Sequence, residues 1–209
     1  KVEIMKGPSS VEYGSDGLAG TIAYFTKDPD DLVDDGKYLS ITTNYIEKNK
    51  QEKVNLLAAY DKENTSGLIQ LVNRSLEETK LHEDFSLESN PMEGDQQSIF
   101  AKLNVNVSSE SKLTFIADLQ EWESEWAINS EKGFIYFPSP RSISSSSGDD
   151  EGTRERFSVT LDISNQNELY DTASLSYYTQ ETEQSQITIQ NQVSFFGGMQ
   201  AAPTPTMRV

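Results

Sequence analysis

The sequence contains no cysteine, a single histidine and no long apolar segment, and each absence narrows the possible functions. Without cysteine the chain cannot form a disulfide bridge, a thiol nucleophile or a structural cysteine-zinc site. Because His82 is the only histidine, a metal site built from several histidines is excluded, and we expect no resident metal. No window of about 18 residues is mostly apolar, so we expect no transmembrane helix, whereas the alternating strands of a membrane barrel remain possible.

Basic residues are also scarce, since 17 Lys and Arg stand against 34 Asp and Glu and the formal net charge is −17. A nucleic-acid reader needs a positive field, so we expect no nucleic-acid partner. Aromatic residues make up 10% of the chain, which argues against disorder. Carboxylates are too abundant for a pair of them to indicate a glycosidase, and we assign no catalytic residue and no enzyme activity.

Apolar and polar residues alternate with a period of two in most of the chain after Gly36, and no segment has a convincing helical period. This pattern predicts an all-β, antiparallel, up-and-down meander of seven strands. Such a sheet could belong to a soluble protein, with one face exposed to solvent, or it could be part of a transmembrane barrel. The predicted strands lie within residues 38–45, 54–60, 67–73, 99–107, 113–119, 157–163 and 173–177.

The breaks between the predicted strands alternate in length. Those near residues 61–66, 108–112 and 165–171 are short, and those near 79–96 and 127–153 are long, although the break at 47–52 is brief. Turns that are short at one end of a meander and long at the other are typical of an outer-membrane barrel. Composition predicts a mobile loop tip for Ser142 to Gly152 and irregular chain after Gln190, to which we assign no role.

The first 27 residues carry a motif of glycines, small residues and a Thr-Lys pair in a fixed order. It resembles the end of the plug domain of TonB-dependent outer-membrane receptors, although Glu12 and Ala19 depart from the usual pattern. Thr26 to Leu32 is similar to the haem and hemoglobin receptor branch of that family. The motif residues that match are Lys6, Gly7, Pro8, Ser9, Ser10, Tyr13, Gly14, Gly17, Gly20, Thr26 and Lys27.

The resemblance implies a 22-stranded barrel filled by an N-terminal plug, in the outer membrane of a Gram-negative bacterium. Residues 1–35 would then be the C-terminal part of the plug with its linker, and residues 36–209 the N-terminal strands and loops of the barrel. We expect the chain to be a piece of a longer protein, whose upstream segment contacts the TonB-ExbB-ExbD energising complex. The first strand would run outward, so the long breaks become extracellular loops in contact with the ligand, and lipid covers the barrel.

Two residues in the expected outer loops are candidate ligands for haem iron, which accepts imidazole or phenolate as an axial ligand. They are His82 and Tyr136, the latter within the apolar run Phe134 to Phe137, which could equally cap the barrel mouth or contact a protein partner. Haem or a ferric chelate would be the transported ligand, and we expect no resident cofactor. A siderophore or vitamin receptor of the same family, or a secreted all-β adhesion module, are the alternatives. For the aspartates between Asp28 and Asp35 we expect a solvated linker in preference to a calcium site.

Overall fold

A computed structural model of the chain describes residues 2–6, 20–24, 26–33, 36–82, 84, 88–136, 140–164, 171–196, 199–200 and 204–208. These residues form strands and three short 3₁₀ turns (Pro29–Asp31, Glu47–Asn49 and Asn129–Glu131), and they contain no α-helix. The strands are β1 (Val2–Lys6), β2 (Gly20–Tyr24), β3 (Gly36–Ile46), β4 (Gln51–Lys62), β5 (Thr65–Glu77), β6 (Met92–Ser108), β7 (Ser111–Ala127), β8 (Gly133–Ile135), β9 (Arg141–Ser164), β10 (Thr172–Phe196), β11 (Met199–Gln200) and β12 (Thr204–Arg208).

Nearly all of these strands belong to one large antiparallel sheet. Its order is β3-β4-β5-β6-β7-β9-β10, while β8 lies beside β9, and β11 and β12 pair with β10. β1 and β2 pair only with each other in a separate two-stranded sheet. The predicted all-β antiparallel meander is therefore confirmed, and each of the seven predicted strands lies within β3 to β7, β9 or β10.

The connections keep the alternation in length. Two residues join β4 to β5 and β6 to β7, whereas residues 78–91 and 128–140 form the longer connections at the other end of the sheet. The short turns are tied to neighbouring strands, because the Asn106 amide donates to the Asn64 carbonyl at 2.8 Å and the Ser164 amide to the Glu110 carbonyl at 2.7 Å. The two ends of the sheet therefore differ as the sequence predicts.

The two faces of the large sheet differ in chemistry because neighbouring residues of a strand point to opposite sides. We call the apolar one the outer face; in one of its cross-strand rows Leu103, Phe115, Val159 and Tyr177 lie side by side. The inner face carries the alternate residues, among them Asn104, Asp118 and Asp162. Larger outer-face side chains include Leu39, Ile41, Val54, Leu56, Ile69, Leu71, Ile99, Leu119, Phe157, Leu161 and Leu175.

Nothing in the described part of the chain covers the outer face. Leu175 is 73% exposed and Ile41 68%, and the remaining large side chains of this face range down to half-buried. The buried hydrophobic side chains of the described residues are only Ala59, Leu68 and Ile143, together with Pro29. The described residues include no helix with the length and apolar character needed to cross a membrane. The sheet thus has an extended apolar surface and almost no core of its own.

The structure corrects two expectations about the second half of the chain. Ser142 to Gly152 is not a loop tip: it lies in β9 and pairs with β10 from Gln184 to Val193. The described residues after Gln190 are not irregular either, because β10 continues to Phe196 and β11 and β12 follow. Ser142 to Gly152 of β9, and also β11 and β12, pair with β10 through backbone hydrogen bonds. These segments can therefore form strands without an alternation of apolar residues.

Two glycines make room for aromatic rings on facing strands. A Cβ at Gly67 would lie 2.7 Å from the Tyr60 ring, and one at Gly152 would lie 2.3 Å from the Trp122 ring. Tyr60 lies on the outer face near a short turn. Trp122 and Trp126 follow Asp118 and Gln120 on the inner face.

Candidate functional site

The linker, defined as residues 26–33, lies on the inner face of the large sheet near the short turns. Its first fixed point is an ion pair between the Asp28 carboxylate and the Lys102 ammonium of β6, with Nζ and Oδ1 2.7 Å apart. The Lys102 side chain is 10% exposed, whereas that of Asp28 is 43% exposed. A charge as buried as that of Lys102 needs a partner, and the linker provides it.

Asn104 connects this ion pair to three strands. It is 2% exposed, and its amide donates to the Ser66 hydroxyl of β5 at 3.3 Å and to Asp28 at 3.4 Å. Its side-chain oxygen accepts from the Thr114 hydroxyl of β7 at 3.1 Å. Ser66 in turn donates to the Asp30 carboxylate at 3.2 Å. We call this set of hydrogen bonds, together with the Asp28–Lys102 pair, the linker anchor.

The local structure of the linker makes it a rigid partner for the sheet. Pro29 fixes the backbone at the start of the 3₁₀ turn and is fully buried. The amides of Leu32 and Val33 donate to the Pro29 carbonyl, and the Asp28 amide donates to the Asp31 carboxylate at 2.9 Å. The expectation of a solvated linker is therefore wrong for Asp28 and Pro29, while Asp34 and Asp35 lie outside the described residues.

The ionisation of Asp28 reflects this environment. Burial raises the pKa of its carboxyl, but the hydrogen bond and positive charge of Lys102, the amide of Asn104 and the charge of Lys112 together outweigh burial. The pKa of Asp28 therefore lies below its ordinary value of 3.8. A lowered pKa means that the anchor favours the carboxylate, and that protonation weakens the anchor.

We expect the linker to loosen in acid. A carboxyl whose pKa is depressed by folding contributes stability above its ordinary pKa and loses it as the pH falls through the lower, folded value. Hydrogen exchange of the Leu32 and Val33 amides, corrected for intrinsic rates, should show full protection at pH 6 and progressively less as the pH falls below the ordinary Asp pKa of 3.8. The Asp28→Asn variant should lack this pH dependence, and equal protection of the native linker across this pH range would contradict the role of Asp28.

A polar cavity of about 490 Å³ lies between the linker and the inner face. Thr26 and Lys27 of the plug motif line it from the linker side and are themselves exposed. The sheet side is lined by polar groups and a few apolar ones: Asn55, Leu57, Leu68, Gln70, Ser98, Phe100, Asp118 and Gln120. Leu68 explains why β5 has apolar residues on both faces, because this part of the inner face lies near Leu32 of the linker.

The remaining plug-motif residues are described only in part. Lys6 ends β1, where its backbone pairs with Gly20 at the start of β2. Gly7, Pro8, Ser9, Ser10, Tyr13, Gly14 and Gly17 lie outside the described residues. Their assignment to the plug stays a prediction.

His82 lies in the long connection between β5 and β6. Its side chain is 80% exposed, and Nδ1 accepts a hydrogen bond from the Asp84 amide at 3.3 Å and lies 3.4 Å from the Asp84 carboxylate. An exposed imidazole beside a carboxylate can approach an external ligand. That it ligates haem iron stays a prediction.

Tyr136 belongs to an aromatic cluster in the next long connection. It is 79% exposed, and its ring meets that of Phe134 edge-on with centroids 4.7 Å apart. Phe134 also contacts Phe195 of β10 at 5.5 Å. The cluster places an exposed phenol on an apolar base, an arrangement that suits either a porphyrin face or a protein partner.

Hydrogen bonds that sequence reasoning missed hold the two long connections together. The Asn90 amide donates to the Ser130 hydroxyl at 3.0 Å, the Ser130 backbone amide donates to Asn90 at 2.8 Å, and the Asn129 amide donates to the Ser89 carbonyl at 2.7 Å. Glu131 accepts from the buried Ser146 and Gln190 of β9 and β10, both at 2.6 Å. The described parts of the two long connections are therefore hydrogen-bonded to each other and form one continuous surface.

An antiparallel meander with an uncovered apolar face, and with a linker on the opposite face, is the arrangement expected for strands of a plugged outer-membrane barrel. The comparisons with known proteins agree with this class. No family model matches the chain. The chain is, however, similar to several curated proteins.

The chain is 39% identical over 87 residues to lactoferrin-binding protein A of Neisseria meningitidis serogroup B, covering 41% of this chain and 9% of that protein. It is 36% identical over 85 residues to transferrin-binding protein A of the same organism, covering 40% and 9%. It is 25% identical over 194 residues to hemoglobin-binding protein A of Haemophilus influenzae, covering 87% and 19%. The chain spans less than a fifth of the length of these relatives, and the matches confirm its resemblance to TonB-dependent receptors.

Proposed function

We propose that the chain is a segment of a TonB-dependent outer-membrane receptor that takes up iron from hemoglobin or haem. Residues 1–35 form the end of the plug with the linker, and residues 36–209 form strands and loops of the barrel. The observation that carries this proposal is the uncovered apolar outer face opposite a polar inner face that holds the linker. Lipid would cover the outer face, because a soluble protein rarely leaves so extended an apolar surface in water.

The names of the relatives support iron uptake from a host protein, and they support binding and transport in preference to catalysis. Hemoglobin-binding protein A matches most of this chain, which favours hemoglobin or haem as the ligand. Lactoferrin- and transferrin-binding protein A are more similar over a shorter part, which makes the iron of those carriers the second candidate. Any of these ligands would bind the outer loops from outside.

Transport in this proposal is a change between two states of the plug. The ligand binds between the outer loops and the plug, and the TonB-ExbB-ExbD complex pulls on the plug from the periplasm. Binding and pulling both favour the open state, so the cargo passes without any bond being made or broken. The polar cavity beside Thr26 and Lys27 suits a hydrated path along the inner face.

The test is growth of an iron-starved Gram-negative host that lacks its own haem receptors and carries the full-length gene. We expect growth on hemoglobin and haem that is lost when TonB is deleted. Growth on lactoferrin or transferrin iron alone would select the second candidate, and growth on a ferric siderophore or a vitamin would select another branch of the family. Recovery of the protein from the medium, without TonB-dependent growth on any source, would favour a secreted adhesion module.

Single substitutions in the same assay test His82 and Tyr136. If His82 supplies an axial ligand, His82→Ala should slow growth on haem. If Tyr136 supplies it, Tyr136→Ala and Tyr136→Phe should both slow growth, because each lacks the phenol oxygen. Growth that survives Tyr136→Phe but not Tyr136→Ala would assign the ring to apolar contact instead. Unchanged growth in all three variants would remove both residues from the ligand site.

A further inference from the structure

We propose that Asp28 and Lys102 are a positioning pair that keeps the linker fixed to the inner face throughout transport, so that only plug residues before Asp28 move. The inference rests on the proposed function. It concerns the linker anchor, which holds the chain at the boundary between the pulled plug and the sheet. The pair touches neither ligand nor cargo and acts only through the position of the linker.

The first argument is the cost of separating the ion pair. Lys102 is 10% exposed, and its ammonium lies 2.7 Å from Asp28. If the linker left the inner face, that ammonium would stay on a strand of a continuous sheet and could not follow its partner. Separation would break this short, charge-assisted hydrogen bond, so it opposes detachment of the linker.

The second argument is that the anchor opens only as a unit. Asn104 is 2% exposed and Ser66 7% exposed, and both contact the linker and each other. Detachment would break all of these hydrogen bonds together, which adds a cost for each. Pro29 would at the same time expose a ring that is now fully buried.

The third argument is the contrast with the segment before the linker. β1 and β2 form a separate two-stranded sheet, whereas the linker is bonded to β5 and β6. Among the described residues before β3, Asp28 is the first that forms an ion pair with the large sheet, so a pull that arrives through β1 and β2 is resisted there. The moving part of the plug ends there, beside the cavity that Thr26 and Lys27 line.

A cross-link between Asp30→Cys and Ser66→Cys in the full-length receptor tests whether the linker has to leave the sheet. The side chains of these residues already meet, with Oδ1 and Oγ 3.2 Å apart, and the chain has no other cysteine. After oxidation, or linking by a short bifunctional thiol reagent verified by mass spectrometry, TonB-dependent iron uptake should stay within about twofold of the reduced receptor. Uptake that disappears on linking and returns with reductant would overturn the inference, and the two single-cysteine variants show any effect of oxidation alone.

Charge variants test the same point without a cross-link. Asp28→Asn and Lys102→Gln should each lower TonB-dependent uptake by about tenfold while ligand binding at the cell surface is unchanged. They should also admit a large hydrophilic antibiotic in cells without TonB, because the linker is loose. Asp28→Glu should restore uptake, and Glu110→Gln, which removes an exposed carboxylate from a short turn at the same end of the sheet, should have no effect.

Uptake by Asp28→Asn at the native level, with no antibiotic entry, would refute the role of the pair. A native receptor that takes up no iron source would instead refute the proposed function. The unmodified receptor in every assay therefore separates the two failures.

Discussion

In intact cells, a cysteine that replaces Glu93 is expected to react with a membrane-impermeant thiol reagent, whereas one that replaces Glu110 stays unmodified until the outer membrane is opened. Glu93 lies at the start of β6 beside the long connections, and Glu110 lies in the short turn between β6 and β7. Both residues are exposed, so accessibility on the two sides of the membrane, and not burial, decides the result. The measurement is the labelled fraction of full-length receptor.

Two further positions act as controls for the same orientation. Asn64, in the short turn between β4 and β5, should behave as Glu110 does, and Gly148 of β9 should behave as Glu93 does. Gly148 will label more slowly, because a side chain there would lie 3.4 Å from Ile128. Labelling of Asn64→Cys in intact cells as readily as Glu93→Cys would rule out the proposed orientation.

Val159→Arg is expected to lower the free energy of unfolding of the full-length receptor by roughly 2 to 4 kcal/mol, the cost of a cation facing lipid near the middle of the membrane. Val159 lies on the outer face between Phe115 and Tyr177. Leu103→Arg, Phe115→Arg and Leu161→Arg should have the same effect. Denaturant titration in lipid vesicles measures these changes.

The matched control is the neighbouring residue on the same strand, because it lies at almost the same depth but on the opposite face. Ser158 lies on the inner face between Ile116 and Tyr178, and Ser158→Arg should cost about 1 kcal/mol or less. Asn104 and Asp118 are unsuitable controls, since Asn104 belongs to the linker anchor and Asp118 pairs with Arg154 at 2.9 Å. Equal costs at Val159 and Ser158 would instead indicate a soluble sheet that packs against a partner.

The sequence predicts the strands wherever one face is apolar, because alternation directly reports a face that leaves water. It fails for Ser142 to Gly152, where strand formation depends on the partner β10 and on no property of the segment itself. It is ambiguous for β5, because Leu68 turns toward the linker while Ile69 and Leu71 lie on the outer face. The prediction fails at these places because the strand is surrounded by residues that are distant in sequence.

The linker anchor shows the same limit for the site. Five aspartates between residues 28 and 35 have the composition of a solvated segment, and nothing adjacent in sequence indicates that one of them meets Lys102. The register of β5, β6 and β7 places Ser66, Asn104 and Thr114 in one row, and the linker lies over that row. Register is a property of the assembled sheet, so the anchor could be found only in the structure.

The length of the hairpin formed by β9 and β10 has a consequence for how a ligand arrives. These strands contain 24 and 25 residues, which at about 3.3 Å per residue gives a span of about 80 Å. A hydrocarbon layer of about 25 Å uses only about ten residues of a tilted strand, so in the proposed orientation the rest stands clear of the bilayer as a stiff arm. Asp149, Glu151 and Glu183 lie along that arm, and a diffusing macromolecule meets them before it reaches the sheet near the membrane. The negative charge of the arm is therefore expected to raise the association rate of cationic partners and to lower that of anionic ones. Added salt weakens both effects.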